Sequence, residues 1–362
     1  MRDSSPTPEL PHVASCHTVW RYAPLYRKPP ASNYHLTLAE GNTPCLEMPL
    51  LADRLGLTAL FFKREDLNPT GSHKDRSLAF QVSTYWEQGC SRLLISSSGN
   101  AGVSASAYAA LAGISMYVFV SPQTPRHKLE RIHRYGGHII ASSRAISFAK
   151  HISRQLEIPN LRPSTNPRSI EGFQSIGWEL FEQLGTVDSI FTYVSSASSL
   201  IGIGRAFQRL KDEFHLLESV PQLHAVQSGL GTSIAAHFVP QKQDLPMQRS
   251  VVGDLGAKKT ALADEAIRLI TATGGSGWIV SDADILAARH VLGRQYGIET
   301  SSEGCAAFAA LQHASQTRQL GRVVVLLTGH GSQWEMTSPE LDQLPVLNTF
   351  SEIATYIERH PA

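Results

Sequence analysis

The chain has 362 residues, enough for two or three domains with buried cores, which excludes peptide hormones and disulfide-stapled miniproteins. Its 32 Lys and Arg residues balance 31 Asp and Glu residues, so no basic surplus favours nucleic acid or membranes, and small-molecule chemistry is the default function class. With 42% hydrophobic and 17% charged residues, the composition is typical of a soluble globular protein rather than a disordered one.

The four cysteines predict no metal site. Cys16, Cys45, Cys90 and Cys305 are far apart and include no CxxC pair, so neither a zinc knuckle nor a redox dithiol is indicated. No apolar run approaches the roughly 18 residues that cross a bilayer, and the N-terminus lacks the apolar core of a signal peptide. We therefore expect a cytoplasmic protein that binds no metal, membrane or nucleic acid.

In chain order, the sequence begins with an arm and continues as alternating helices and strands. Residues 1–35 are rich in Pro, Ser and Tyr and lack periodicity, which predicts an extended, partly disordered arm laid over a domain or a partner subunit. Apolar periodicity and stop signals then predict helix 51–55, strand 60–62, a helix after residue 74, strand 92–96, helix 101–112, strand 116–120, helix 128–135 and strand 138–140.

The second half of the chain repeats this alternation. Its predicted elements are helix 172–184, strand 190–194, helix 200–211, strand 222–227, helix 282–296 and strand 322–327. Strands alternating with helices of this length predict an α/β protein with parallel sheets covered on both faces, and two such sheets fit the chain. Residues 239–256 predict a long surface loop, and the tail after Thr337 a peripheral segment.

The most specific string runs from Asn68 to Arg76 and reads N-P-T-G-S-H-K-D-R. It places Lys74 where a Gly-containing turn gives way to a helix. The positive end of a helix dipole disfavours an ammonium group, so this amine is closer to the neutral nucleophile that forms a Schiff base with an aldehyde. The alternative, a solvated surface lysine, is the commoner role of a single Lys, and spacing alone does not exclude it.

This string resembles the N-P-T-G-S-x-K-D-R signature of pyridoxal-phosphate enzymes of the tryptophan-synthase β-subunit fold (fold type II), above all of threonine synthases. Five more segments resemble that group in the same order. They are W-R-Y at 20–22, E-G-N-T-P at 40–44, S-S-G-N-A-G at 97–102, N-P with E-G at 166–172 and T-G-H-G at 328–331.

The resemblance, which covers about residues 20–335, implies two parallel-sheet α/β domains with pyridoxal phosphate in the cleft between them. The larger, cofactor-anchoring domain would comprise residues 1–80 and 190–340. The smaller domain would comprise residues 81–189 and carry the asparagine turn, and residues 341–362 would form a C-terminal tail. The resemblance also implies a homodimer.

The resemblance implies a role for each matching residue. Lys74 would hold the cofactor and then shuttle protons between substrate carbons. Asn100 would hydrogen-bond the phenolic oxygen of the cofactor, and Thr328 its pyridine nitrogen. His73, where the family often has Phe, would stack near the ring or relay a proton. The substrate carboxylate would bind the start of the next helix, through Ser97, Ser98, Gly99, Asn100 and Ala101.

The phosphate of the cofactor would bind the turn that aligns with the glycine-rich loop of the family. Here that turn is Ser195, Ser196, Ala197, Ser198 and Ser199. It lies between a predicted strand and a predicted helix, so its N–H groups, the helix dipole and serine hydroxyls are available to an anion. The alternative is an ordinary polar turn, as it is for residues 97–102, and Thr328 could be a strand cap.

Three departures concern the pocket that grips the phosphate of O-phosphohomoserine in threonine synthases. Pro163 stands where the family has Asn, Ser169 where it has Arg, and Ala101 where it usually has Thr. Arg168 and Ser164 are adjacent and are the predicted substitutes. Losing a bidentate Arg weakens phosphate binding unless another cation replaces it, which indicates a divergent substrate.

The predicted activity is therefore a pyridoxal-phosphate-dependent carbon–oxygen lyase that eliminates or replaces a leaving group on the β or γ carbon of an amino acid. One alternative is a dehydratase that deaminates Ser or Thr. Others are an ordinary threonine synthase acting on O-phosphohomoserine, and a non-catalytic sensor or scaffold. The leaving group and the incoming nucleophile are not specified by the sequence.

Overall fold

The computed structural model describes residues 10–229, 231–239, 250–252, 260–331 and 344–360. Within these ranges, no helix has both the length and the apolar character needed to cross a bilayer. The first elements are β1 (Cys45–Glu47), α1 (Pro49–Leu55), β2 (Ala59–Lys63), α2 (Lys74–Glu87), β3 (Arg92–Ser96), α3 (Asn100–Leu111), β4 (Ser115–Val120), α4 (Arg126–Arg134), β5 (His138–Ala141) and α5 (Ala145–Gln155). They are followed by α6 (Pro167–Leu184), β6 (Ser189–Tyr193), α7 (Ser198–Asp212), β7 (Gln222–Ser228), α8 (Ala263–Ala272), β8 (Ser276–Val280), α9 (Asp282–His290), α10 (Ser302–Ser315), β9 (Arg322–Leu326) and α11 (Phe350–Arg359).

The strands of the described ranges form two sheets. The larger has six strands in the order β1-β2-β9-β6-β7-β8, in which β1 runs antiparallel to β2 and the other neighbours are parallel. The smaller has three parallel strands in the order β3-β4-β5. Alternate residues of β9 enter two different hydrophobic clusters, Val324 one and Val323 and Val325 the other, so both faces of the strand are covered. The predicted α/β fold with parallel sheets is confirmed.

Glycines bring α6 close to both of its neighbouring helices. A Cβ at Gly172 of α6 would lie 2.8 Å from the Cα of Ser77 in α2, and a Cβ at Gly202 of α7 would lie 2.6 Å from the Cβ of Phe173 in α6. Such contacts leave no room for a larger residue. They fix α2, which begins at Lys74, against the helices that cover the larger sheet.

The described part of the N-terminal arm lies over a domain, as predicted, but it is partly helical rather than extended. Residues 1–9 lie outside the described residues, but residues 19–25 and 32–34 form short 3₁₀ helices. Trp20 is 3% exposed, stacks on His35 with ring centroids 3.9 Å apart and donates a hydrogen bond from Nε1 to the carbonyl oxygen of Leu36 at 2.7 Å. The arm folds because its aromatic residues bury apolar surface against α2 and α6.

The C-terminal tail is not peripheral in its described part. Val346 forms a β-bridge with Ala141, the last residue of the edge strand β5. Helix α11 covers the smaller sheet, with Ile353 and Ile357 fully buried. A capping box at Thr349 begins this helix. Most of the loop predicted over residues 239–256 lies outside the described residues.

Candidate active site

A cavity of about 1200 Å³ lies at the carboxyl ends of strands from both sheets. Its lining includes the segments that follow β3, β6 and β9 and the first residue of α2. Ligands of parallel α/β proteins bind in such positions, because strand ends and helix N-termini converge there. Among the described lining residues, six are Lys or Arg and two are Glu, so the lining is cationic.

Most of the site residues predicted from the sequence line this cavity. They are His73, Lys74, Ser97, Ser98, Gly99, Asn100, Ala101, Ser164, Ser195, Ser196, Ala197, Ser199 and Thr328. Two do not. Ser198 is buried at the start of α7, with its hydroxyl 3.0 Å from that of Ser196. The guanidinium of Arg168 stacks on the ring of Tyr85 at 4.5 Å and donates to its hydroxyl at 2.9 Å.

The turn before Lys74 is held by the next residue of the motif. The carboxylate of Asp75 accepts hydrogen bonds from the backbone N–H of Thr70 at 2.7 Å, from its hydroxyl at 2.5 Å and from the hydroxyl of Ser104 in α3 at 2.6 Å. Burial raises the pKa of Asp75 to about 6. The aspartate thus ties the lysine turn to its own helix and to α3.

Arg76, the last residue of the motif, lies in a buried charge network. Its guanidinium donates to Glu65 at 2.7 Å from both Nε and Nη2, and to Glu179 of α6 at 2.7 and 2.9 Å. Lys63 at the end of β2 completes the network, 2.5 Å from Glu179. These pairs anchor the start of α2 to β2 and α6, two residues from Lys74.

The amine of Lys74 faces apolar and neutral neighbours. Its Nζ lies 2.9 Å from Nε2 of His73 and 5.2 Å from the centroid of the Phe173 ring. Burial lowers the pKa of Lys74 to about 8, although the negative charge of Glu303 opposes the shift. A measurable fraction of this amine is therefore neutral near pH 7, which a nucleophilic lysine requires.

Two helix N-termini contribute to the cavity. Asn100 begins α3 after the cap residue Gly99, and a Cβ at Gly102 would lie 2.2 Å from the carbonyl oxygen of Ser97, so the turn is tight. The cap residue of α7 is Ala197, which adopts the left-handed conformation with φ of 66°. The N–H groups that open each helix have no intrahelical acceptor and are available to anions.

Arg162 is a cavity residue that the sequence reasoning missed. Its Nε donates to the hydroxyl of Ser164 at 2.9 Å, and its Nη1 donates to the hydroxyl of Ser96 at 2.8 Å. Burial lowers the pKa of Arg162, and no carboxylate among the described residues pairs with it. A partly buried cation without a counter-ion on a cavity wall is a candidate binding position for an anion.

One protein family matches most of the chain, including the segments that line the cavity. The family described as pyridoxal-phosphate dependent enzyme matches residues 36–329, which include the lysine motif, both helix N-termini and Thr328. The chain belongs to this family. It is therefore a pyridoxal-phosphate-dependent protein, and the cofactor predicted from the sequence is confirmed.

Individual relatives agree with the predicted resemblance. The threonine synthase of Methanosarcina acetivorans is 28% identical over 332 residues, which cover 87% of this chain and 80% of that protein. The threonine synthase of Mycobacterium tuberculosis is 29% identical over 327 residues, covering 86% and 88%. Maize serine racemase, a solved structure, has a TM-score of 0.69 at 19% identity and covers 88% of this chain and 93% of its own. The threonine synthase-like resemblance and the fold type are confirmed.

The described residues fit pyridoxal phosphate. The cavity offers an amine of lowered pKa for the aldehyde and unpaired helical N–H groups for the phosphate. Thr328 follows β9, is 4% exposed and lines the cavity. A hydroxyl on the cavity wall can hydrogen-bond a polar ligand atom, such as the pyridine nitrogen of the cofactor.

Proposed function

We propose that this protein is a pyridoxal-phosphate-dependent carbon–oxygen lyase that eliminates or replaces a leaving group on the β or γ carbon of an amino acid. The observation that carries the proposal is the buried amine of Lys74, whose pKa is lowered to about 8, in a cationic cavity that two helix N-termini also line. When bound, the cofactor withdraws electrons from the α carbon of the substrate.

Each part of the cavity has a proposed task. Lys74 holds the cofactor and, when free, carries protons between substrate carbons. The N–H groups at the start of α3 bind the substrate carboxylate, and the side chain of Asn100 orients the cofactor ring. The turn 195–199 binds the phosphate. Thr328 meets the pyridine nitrogen with a hydroxyl, which is too weak an acid to protonate it fully, and this favours elimination and replacement over transamination.

The substrate is proposed to carry a second anionic group at a position that differs from that of O-phosphohomoserine in threonine synthases. Ser169, where the family has Arg, is fully buried, and its hydroxyl accepts a hydrogen bond from that of Ser77 at 3.2 Å, while Arg168 donates a hydrogen bond to Tyr85. Arg162 lines the cavity instead. Since the remaining lining is cationic too, an anionic side chain is favoured over a neutral one.

A substrate panel tests this proposal. The holoenzyme is mixed with O-phosphohomoserine, O-phosphoserine, homoserine esters, Thr and Ser, while phosphate, ammonia, 2-oxo acid and new amino acids are measured. A new amino acid from a substrate with an anionic leaving group supports the proposal. Ammonia with a 2-oxo acid from Ser or Thr would show a dehydratase. A kcat/KM above about 10⁴ M⁻¹s⁻¹ with O-phosphohomoserine would show an ordinary threonine synthase.

The variant Arg162→Met tests the anion position. Each charge-assisted hydrogen bond contributes about 1.5–3 kcal/mol, so kcat/KM for the best anionic substrate should fall about 10- to 150-fold. Its control is Arg154→Met, at an exposed position of α5 outside the cavity lining, which should leave kcat/KM unchanged. Equal values for both variants would refute the role of Arg162.

Three further predictions from the sequence belong to this proposal. The first is the division into a larger unit of residues 1–80 and 190–340 and a smaller unit of residues 81–189. The sheets support it, because β3, β4 and β5 all fall within 81–189, whereas α6 in the same range packs against α2 and α7. The homodimer and the cytoplasmic location are proposed as well. Sedimentation of the purified holoenzyme tests the dimer.

A further inference from the structure

His73 contacts Thr328 on one side and Lys74 on the other. Its ring atom Nδ1 lies 2.9 Å from the carbonyl oxygen of Thr328, and its backbone N–H donates to the same oxygen at 3.1 Å. A carbonyl oxygen only accepts hydrogen bonds, so Nδ1 carries the proton of the ring. The lone pair of Nε2 then points at the Nζ of Lys74, 2.9 Å away.

We propose that His73 is a positioning residue for Lys74, whose neutral imidazole accepts a hydrogen bond from the free amine and holds that amine in one place in the cavity. The contact needs an N–H on Nζ and therefore exists while the amine is free. That is the state in which a lysine of this proposed function carries protons. The inference rests on the proposed function for its effect on turnover, and on geometry alone for its effect on Lys74.

The charges around the pair keep His73 neutral. Burial and then the positive charge of Lys74 hold the pKa of His73 well below its usual range, and Arg76 of the same helix acts in the same direction. From α10, the charged group that acts on Lys74 is Glu303, which favours the ammonium form. Phe173 of α6 packs against both side chains, with its ring centroid 5.3 Å from that of His73, and adds no charge.

The proposed hydrogen bond changes the pKa of Lys74 in a direction that an experiment can measure. Burial disfavours the ammonium form of Lys74, whereas a hydrogen-bond acceptor stabilises that form. Removing the acceptor should therefore lower the pKa of Lys74 further, by about one unit or more. A side chain that merely fills space at position 73 would not move this pKa when replaced by another of similar size.

Three forms of the full-length protein are compared: wild type, His73→Phe and His73→Gln. Phe is the residue common at this position in the family and lacks an acceptor, while Gln restores an acceptor at a similar reach. After the cofactor is removed, the rate of acylation of Lys74 is measured against pH by peptide mass spectrometry, with the exposed Lys150 as internal reference. The kcat and KM of the holoenzyme are measured separately with the best substrate of the panel described above. Folding is checked by circular dichroism.

The expected result is a pKa of Lys74 lowered by about one unit or more in His73→Phe and restored in His73→Gln, with kcat reduced about 10- to 100-fold in the Phe form only and KM within about twofold. Equal Lys74 pKa values in all three forms, equal losses in both variants, or a shifted pKa with unchanged kcat would each overturn the proposal. If the Phe form does not fold, His73→Leu takes its place. Acylation requires no substrate, so it decides the contact even if the proposed activity is absent.

Discussion

Replacing Glu179 by Gln should destabilise the protein strongly, because it leaves one buried positive charge without a partner. Lys63, Glu65, Arg76 and Glu179 form a network with two charges of each sign, and none of these side chains is more than 4% exposed. Glu179 accepts hydrogen bonds from Lys63 at 2.5 Å and from Arg76 at 2.7 and 2.9 Å. Removing one member of a buried pair costs about 3–5 kcal/mol.

This cost corresponds to a measurable change in the melting temperature. The entropy of unfolding is about 2.1 cal/mol/K per residue, hence about 0.8 kcal/mol/K for 362 residues, so Tm should fall by about 4–6 °C. The double variant Lys63→Met with Glu179→Gln restores neutrality, since Arg76 then pairs with Glu65. It should lose much less stability than the two single changes added together.

Calorimetry and urea unfolding of the holoenzyme measure these effects, with Glu218→Gln at an exposed position as the control that should change nothing. A double variant that loses as much stability as the two single variants together would refute the charge-balance reasoning.

The pH dependence of stability gives a second check. Burial opposes ionisation of Glu179, yet Arg76 and Lys63 hold its pKa well below the usual range, so its contribution is present above pH 4.3 and lost at lower pH. The gap between wild type and Glu179→Gln should narrow below about pH 4.

Three other predictions follow from the site. Borohydride reduction of the holoenzyme and peptide mapping should label Lys74, and a label on another lysine would remove it from its proposed role. Ser196→Ala combined with Ser199→Ala, two serines that line the cavity, should weaken cofactor retention with the fold intact, as measured by equilibrium dialysis; unchanged retention would assign the phosphate to backbone donors alone. Burial raises the pKa of Asp75 to about 6, so the proton-linked part of its contribution to stability is complete below about pH 3.9 and is lost as the pH rises through 6, while the ionised carboxylate keeps its three hydrogen bonds. Asp75→Asn should flatten this part of the stability curve, and an unchanged curve would contradict the assignment.

The parallel strands were predictable because both of their faces are buried. The strand predicted at 92–96 is β3 (Arg92–Ser96), and the one at 322–327 differs from β9 (Arg322–Leu326) by one residue. Continuous apolar runs bounded by turns identify such strands. The three-residue strand β1 (Cys45–Glu47) is too short to show a pattern, and only pairing with β2 reveals it.

Some helices were missed for a different reason. Most residues of α10 (Ser302–Ser315) are buried, so its sequence shows no polar stripe by which a surface helix is recognised. The tail helix α11 (Phe350–Arg359) carried usable signals, namely Thr349 with Glu352 as a capping box and apolar residues at 350, 353 and 357. These signals are sufficient to predict the helix from the sequence.

At the site, residues that belong to sequence motifs could be predicted from the sequence, whereas a charged residue outside any motif could not. Lys74, Asn100 and Thr328 come from strings whose order is informative, and the structure brings all three to one cavity. Arg162 belongs to no such string. Its position depends on how the segment before α6 passes Ser96 at the end of β3, a tertiary contact that local sequence does not encode.

In the lysine motif, the burial that makes the amine of Lys74 reactive also buries the polar residues next to it. Burial lowers the pKa of Lys74 to about 8, and that burial requires α2 to start deep in the fold. There the motif places further polar residues next to Lys74. Asp75 and Thr70 satisfy each other within the turn, and Arg76 requires Glu65 and Glu179 as counter-charges. Such a buried network contributes little net stability, since desolvation offsets the ion pairs. Its effect is to fix the first turn of α2, and with it the position of the lysine.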